Sequence, residues 1–348
     1  MEKILKKWRK INTQARLNIP TKYFNIDKNT IDSIRKIKDS KKRLIESARV
    51  QYELFKDIHS DLTAWIAGYS SESIVRRKFG SSIRLREIFI KPQKLDNRIT
   101  PSWMDIKRNI RIPKEIDEKL AEEIGIHIGD GNLYINTHKD GSKSYKYTIS
   151  GNLTNEYNYH VEHINKLMND LYNLRGIFSI RKDRNSIDSI YKSKAIVEFK
   201  NKILNLSIGP KVNIKIPKGI FKEKEFERKC ISGIIDTDFN LTNSLAITGK
   251  LTSMFVVKDM CDILKRNKIP YICRREKNYG RFYIRQKGAI KIIEEWGLNN
   301  QKHTSKYLIW KEFKKFIPFT TTIERLAVLN GKLDIEDLER ISKKRKPQ

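Results

Sequence analysis

Apolar positions in the second two-thirds of the chain recur at helix and strand spacings in a fixed order, and the order is written twice. The first copy predicts a helix over Ile116–Gly131 that Gly131 ends, strands over Asn132–Asn136 and Tyr145–Ser150, and a helix from about Asn155 to Leu174. Tyr157, Val161, Ile164, Met168 and Leu171 share one face of that last helix. A hairpin over Ile177–Arg181 and Ile187–Tyr191 turns at Asn185-Ser186, and Ser193–Leu206 closes the copy as a short helix. The second copy predicts a helix over Phe226–Thr237, extended chain over Leu241–Thr248, and a helix from about Leu251 to Lys268 that buries Val256, Met260, Ile263 and Leu264. A hairpin over Tyr271–Arg275 and Arg281–Gln286 and a closing helix Ala289–Trp296, stopped by Gly297, complete it. Each copy reads α-β-β-α-β-β-α. The chain is thus expected to be α+β, two pseudo-symmetric repeats with antiparallel sheets behind a helical N-terminal extension.

The remaining segments set the expected boundaries. Residues 1–111 form a basic helical region with one long helix from about Thr30 toward His59, capped by Thr30. Within that region Gly68 and Gly80 bracket Ser71–Lys78, a spacing compatible with helix-turn-helix DNA binding and equally with plain helices broken by glycine. The repeats occupy 112–208 and 209–320, joined by the basic stretch Gly209–Lys218 with Pro210 and Pro217. Residues 321–348 hold a helix near Thr322–Asn330 and a charged end that is expected to be solvated.

Charge narrows the partner. Lys plus Arg number 72 against 41 Asp plus Glu, a formal charge of +31 on 348 residues, and a polyanion is the simplest reason to hold so much self-repulsion. No apolar run approaches the roughly 20 residues that span a bilayer, so nucleic acid leads over membrane, and an intracellular, cytoplasmic location is expected. The three cysteines form no C-x-x-C pair, which argues against zinc and disulfides.

The chemistry lies at the ends of the two repeat-opening helices, Gly125-Ile126-His127-Ile128-Gly129-Asp130-Gly131 and Gly233-Ile234-Ile235-Asp236-Thr237-Asp238-Phe239. Small residues four apart, Gly125 with Gly129 and Gly233 with Thr237, give each helix a stripe where backbone can meet backbone. Asp130 and Asp238 then sit at helix C-termini, where the macrodipole disfavours a carboxylate. Bringing the two together costs more still unless divalent cations neutralise them, and oxygen donors suit Mg²⁺ or Mn²⁺. His127 is read as a packed, hydrogen-bonded residue of the apolar interface.

In these two motifs the chain resembles the LAGLIDADG homing endonucleases of the monomeric, two-motif type, over about residues 112–300, with Leu120-Ala121 preceding the first motif. The resemblance implies motif helices packed at a pseudo-twofold interface and two four-stranded sheets forming a saddle on double-stranded DNA. It implies catalytic and metal-binding roles for Asp130 and Asp238, with the carbonyls of Gly129 and Thr237 in the same metal shell. A basic residue is expected near each site, with Lys192 and Lys194 competing in the first copy and Arg274, Arg285 and Lys287 in the second. Phe239 departs from the motif's final glycine, which is expected to let the chain leave the helix with φ > 0.

The expected function is site-specific, metal-dependent double-strand DNA cleavage by a monomer. The alternative is a non-cleaving DNA-binding regulator or an RNA-splicing maturase, with RNA as partner, and Phe239 and the N-terminal extension speak for it. On the second hairpin Arg281, Tyr283 and Arg285 alternate with core-facing Phe282 and Ile284, so the polar face is expected on DNA. Arg274, Arg275, Lys287, Arg181, Lys182, Arg184, Lys143 and Lys146 are its expected companions.

Overall fold

The computed structural model describes residues 26–69, 72–79, 85, 88–89 and 95–346. The chain divides into two compact units, Met1–Lys94 and Leu95–Gln348.

The first unit contains helices α1 (Lys28–Arg35), α2 (Ser40–Phe55), α3 (Ser60–Ile66) and α4 (Glu72–Phe79) among its described residues. The single long helix expected from Thr30 is broken. Asp39 caps α2 by accepting from the backbone N–H groups of Lys41 (2.7 Å) and Lys42 (2.9 Å), and a side chain that satisfies orphan donors starts a new helix there. Asp27, rather than Thr30, caps α1, accepting from Thr30 N at 2.9 Å. Leu44, Ala48, Ile58, Ala64, Val75 and Phe79 form one core cluster, and Ile31, Ile34, Leu62, Trp65 and Ile66 belong to another. Of the expected helix-turn-helix segment bracketed by Gly68 and Gly80, Ser71 and Gly80 lie outside the described residues, whereas α4 is helical as expected.

The second unit opens with α5 (Trp103–Lys107), and the first repeat follows. It comprises α6 (Glu118–Gly129), β1 (Gly131–Thr137), β2 (Lys143–Asn152), a helical run α7 from Leu153 to Tyr172, β3 (Ile177–Arg181), β4 (Ser186–Tyr191) and α8 from Lys194 to Ile203. The second repeat comprises α9 (Lys224–Asp238), β5 (Phe239–Leu241), β6 (Ile247–Leu251), α10 (Met254–Arg266), β7 (Tyr271–Arg275), β8 (Gly280–Ile284) and α11 from Gln286 to Gly297. The stretch expected as one extended segment, Leu241–Thr248, is instead a hairpin, with Thr242 N donating to Ala246 O at 2.8 Å and Leu245 in the turn at φ 57°. Each repeat carries a four-stranded antiparallel sheet, and the two orders, β1-β2-β4-β3 and β5-β6-β8-β7, are equivalent. One hydrophobic core runs from α6 and α9 under both sheets.

The exits from the motif helices correct one expectation. Gly131 is no positive-φ terminator but the first residue of β1, where an added Cβ would lie 2.5 Å from His127 Cα. Phe239 is equally extended, at φ −109° and ψ 167°. Its ring is buried against Phe282 and covers Gly249, its partner across the strands, whereas in the first repeat Gly131 faces Ile149. Large and small have exchanged sides of the same pair, so Phe239 conserves the volume of the layer and does not report a broken exit.

One C-terminal element departs from the expected pattern. Helix α12 (Gln301–Phe313) was not anticipated, because its polar His303 and Ser305 are fully buried and leave no amphipathic stripe. The charged end forms α14 (Ile335–Arg345) after α13 (Thr322–Leu329); Leu338 is fully buried and Arg345 pairs with Glu324 at 2.7 Å, while Lys343, Lys344 and Lys346 are exposed, as expected of a solvated run.

Candidate active site

Helices α6 and α9 touch backbone to backbone. A Cβ on Gly125 would lie 2.0 Å from the carbonyl oxygen of Cys230, one on Gly233 2.4 Å from that of Glu122, and one on Gly129 1.9 Å from Thr237 Oγ1. Only glycine permits that crossing, and the crossing is what delivers both helix C-termini to one place. Asp130 caps α6 and Asp238 is the last residue of α9.

Two ammonium groups meet these ends. Lys211 Nζ donates to the carbonyls of Gly129 and Ile128, the latter at 2.9 Å, and Lys302 Nζ donates to Thr237 O at 3.3 Å and to Glu156 Oε1 at 2.7 Å. Cations at helix C-termini complement the dipole, and these two also complement the aspartates. Loss of water around Asp130, then the nearby charges of Asp238 and Glu156, push its pKa up to about 7 despite the opposing lysines. Asp238 keeps an open edge to solvent, yet the surrounding protein raises its pKa, and Lys211 and Lys302 hold it back. Burial lowers the pKa of Lys211 in turn.

Asp236 has a separate task. It is fully buried and accepts from the backbone N–H groups of Asn299 (2.8 Å) and Asn300 (3.1 Å), while its carbonyl accepts from the Asn300 amide at 2.7 Å. Asn300 caps α12 through Lys302 N at 3.0 Å, so the acid inside the motif fixes the helix start that carries Lys302. The first repeat has Ile128 at the corresponding place and no such anchor. Sequence reasoning missed Lys211, Lys302 and Glu156. The signal for Lys211 was its place in the short connector Gly209–Lys218, and Lys302 had none, since its helix was not foreseen.

The candidates for the basic position lie elsewhere. Lys194 faces Tyr145 and Glu198, Lys192 is exposed behind β4, Arg285 precedes α11, and Lys287 lines a surface hollow with Lys265 and Lys268. His127 is packed on Tyr147, at 5.3 Å between centroids, but neither ring nitrogen has a hydrogen-bond partner, contrary to the expectation of a bonded residue. Burial and the Lys200 charge push its pKa down, so the ring is neutral.

Among the described residues no three His, Cys, Asp or Glu side chains gather as a metal-binding group. The oxygen donors present are the two carboxylates and the helix-end carbonyls of Gly129 and Thr237, all hard ligands, and the lysines on those carbonyls show that the position favours positive charge. This donor set fits Mg²⁺ or Mn²⁺. A cavity of about 170 Å³ beside it is lined by Gly129, Lys211, Asp238, Lys250 and Ser253.

The outer faces of the sheets differ. On the second sheet Lys250, Arg281 and Arg274 lie side by side across β6, β8 and β7, with Thr248, Tyr283 and Ile272 in the next row. Like charges directly opposed on neighbouring strands are destabilising, and Glu276, 3.7 Å from Arg281, answers only one of the three, so this row attracts an anion. Lys250 was not among the expected contacts. On the first sheet Arg181 is bound to Asp188 at 2.7 Å, leaving Lys146 with Tyr134 and Thr148 on the face, while Lys143, Lys182 and Arg184 are exposed at the strand ends. Arg275 is exposed but, opposite Gly280, belongs to the other side of its strand.

Two tandem repeats with glycine-crossed motif helices, each followed by a four-stranded antiparallel sheet, decide the architecture. It is the arrangement that the resemblance to the LAGLIDADG endonucleases implies. No protein-family model and no curated protein matches the chain. Among solved structures, mesophilic variants of the homing endonuclease I-DmoI are 15% identical with a TM-score of 0.42 over 52% of this chain and 95% of theirs. I-DmoI in complex with DNA and Mn is likewise 15% identical, at 0.41 over 52% and 97%. The meganuclease I-SmaMI bound to uncleavable DNA is 9% identical, at 0.38 over 64% and 98%. The resemblance to the LAGLIDADG endonucleases rests on the motif helices and sheets of this chain. Among the described residues no helix is long and apolar enough to cross a membrane.

Proposed function

We propose that this chain is a site-specific double-strand DNA endonuclease that depends on Mg²⁺ or Mn²⁺. The observation that carries the proposal is the convergence of Asp130 and Asp238 on two lysine-capped helix ends, an assembly of costly carboxylates with no structural return of its own. Divalent cations bound there supply Lewis acidity toward water and the scissile phosphates. The chain's own residues do the rest. Asp130 and Asp238 hold the positive charge in place, and the Gly129 and Thr237 carbonyls complete the donor set. Lys211 stands beside the reacting phosphates as a positioned cation, and Lys302 balances the charge at the other helix end from its pairing with Glu156. The row Lys250, Arg281 and Arg274 grips the DNA backbone, with Tyr283 beside it reaching base edges. In the N-terminal unit Lys41, Lys42, Arg76, Arg77 and Lys78 are exposed, and Lys41 lies over the Phe79 ring of α4, so these cations gather where α2 begins and α4 ends and add phosphate contacts.

The test is a supercoiled plasmid library of candidate sites incubated with Mg²⁺ or Mn²⁺. Linear product from the unmodified chain, absent with Asp130→Asn, is the expected result. DNA binding without cutting on any site, unchanged in the variant, sinks the nuclease and leaves the non-cleaving regulator or splicing maturase.

A further inference from the structure

We infer that Glu156 is a positioning residue that makes the two cutting centres unequal, so that the strand on the Asp238 side is cut before the strand on the Asp130 side; the inference rests on the nuclease reading above. The two lysines at the motif helix ends are alike in placement and unlike in company. Lys211 donates only to carbonyls, those of His127, Ile128 and Gly129. Its neighbours Asp238 and Lys250 line an open cavity with it, so its charge is available to a phosphate.

Lys302 is held otherwise. Its ammonium lies 2.7 Å from Glu156 Oε1 and 3.3 Å from Thr237 O, and both partners of the ion pair are largely buried, with side chains 18% and 7% exposed. Glu156 is itself fixed, accepting from Asn152 N at 2.6 Å and from the Asn300 amide at 2.9 Å. The carboxylate cannot swing away, and the lysine cannot turn to a phosphate without leaving a partly buried carboxylate unpaired. The titratable groups facing this pair from the other packed elements are Asp130, Asp238 and His160, with His303 and Lys306 on α12 itself. Lys211 lines one cavity with Gly129 and Asp238, which puts it on the Asp238 side and leaves the paired Lys302, on the Thr237 carbonyl, to the Asp130 side. The first repeat therefore contributes a full motif, Gly129-Asp130-Gly131, to the slower centre, and the second repeat, with Phe239, serves the faster one.

The experiment uses the full chain and a recovered target, with each strand end-labelled; Asp130→Asn and Asp238→Asn assign the strands to their sides. The unmodified protein is expected to accumulate a nick on the Asp238 side. Glu156→Gln keeps an acceptor for Asn152 N and removes the charge. It is expected to raise cutting of the Asp130-side strand roughly tenfold while leaving the other strand unchanged, and the unchanged strand reports that the variant is folded. Without metal or DNA, the Lys302 Nζ resonance in nitrogen NMR moves in Glu156→Gln and that of Lys211 does not. Equal strand rates in the unmodified protein, or a fall in both rates in a folded Glu156→Gln, overturn the inference and leave the nuclease standing. Failure to cut either strand on any site overturns both.

Discussion

Replacing Asp130 with asparagine should stabilise the metal-free protein at alkaline pH while removing cleavage. The carboxyl goes from an ordinary 3.8 to about 7 on folding, chiefly because protein displaces its water and secondarily because Asp238 and Glu156 repel its charge. At about 1.36 kcal/mol per unit the whole shift corresponds to about 4 kcal/mol, and partial access to water reduces it to roughly 2 kcal/mol. The sign follows from the direction. A folded pKa above the unfolded one favours folding at low pH, and that stability is lost as pH rises through the folded value. The penalty is absent near pH 3, grows above pH 4 and is complete by about pH 8. For a unit of this size the melting temperature of Asp130→Asn should exceed that of the unmodified chain by about 4–8 °C at pH 8 in EDTA, and the difference should vanish near pH 4. Thermal melts followed by circular dichroism at both pH values give the answer, and added Mg²⁺ should close the gap by stabilising only the aspartate protein. Equal melting temperatures at pH 8, or a variant less stable there than at pH 4 relative to the unmodified chain, would refute the claim that Asp130 is held at electrostatic cost.

Three further outcomes follow from the packing and the sheet face. Gly125→Ala puts a methyl 2.0 Å from a backbone carbonyl of α9, which no rotamer relieves, and should cost about 3 kcal/mol or more by chemical denaturation, whereas Gly141→Ala, in open space at φ +79°, should cost about 1 kcal/mol. Phe239→Gly should cost about 3–5 kcal/mol and be partly rescued by Gly249→Ile, the first repeat's arrangement, with the double-mutant cycle showing coupling. Lys250→Ala and Arg281→Ala should each lower the slope of log affinity against log salt for DNA by about one, while Arg181→Ala, already paired with Asp188, leaves it unchanged.

The legible parts of this chain are those where neighbours in sequence decide the outcome. Strand spacing located both hairpins, Asn185 at φ 48° turns the first where Asn-Ser predicted it, and Val256, Met260, Ile263 and Leu264 are buried as their period required. Asp39 in the N-terminal region was misread because a cap inside a helical stretch looks like any other polar residue until its carboxylate is seen to bind two N–H groups. The meaning of Phe239 was misread because its compensation, Gly249, is ten positions away and opposite only through the strand register.

By itself the sequence determined the doubled order of elements, the small-residue stripes on α6 and α9 and the two aspartates that end them, since each is a local pattern of periodicity and size. Tertiary structure alone decided which cations answer those aspartates. Lys211 arrives from the connector and Lys302 from a helix without an apolar stripe, anchored by Asp236 and paired with Glu156 from 146 positions earlier. No spacing rule links such residues, because the free energy that joins them comes from burial and charge in space, which the chain acquires only on folding.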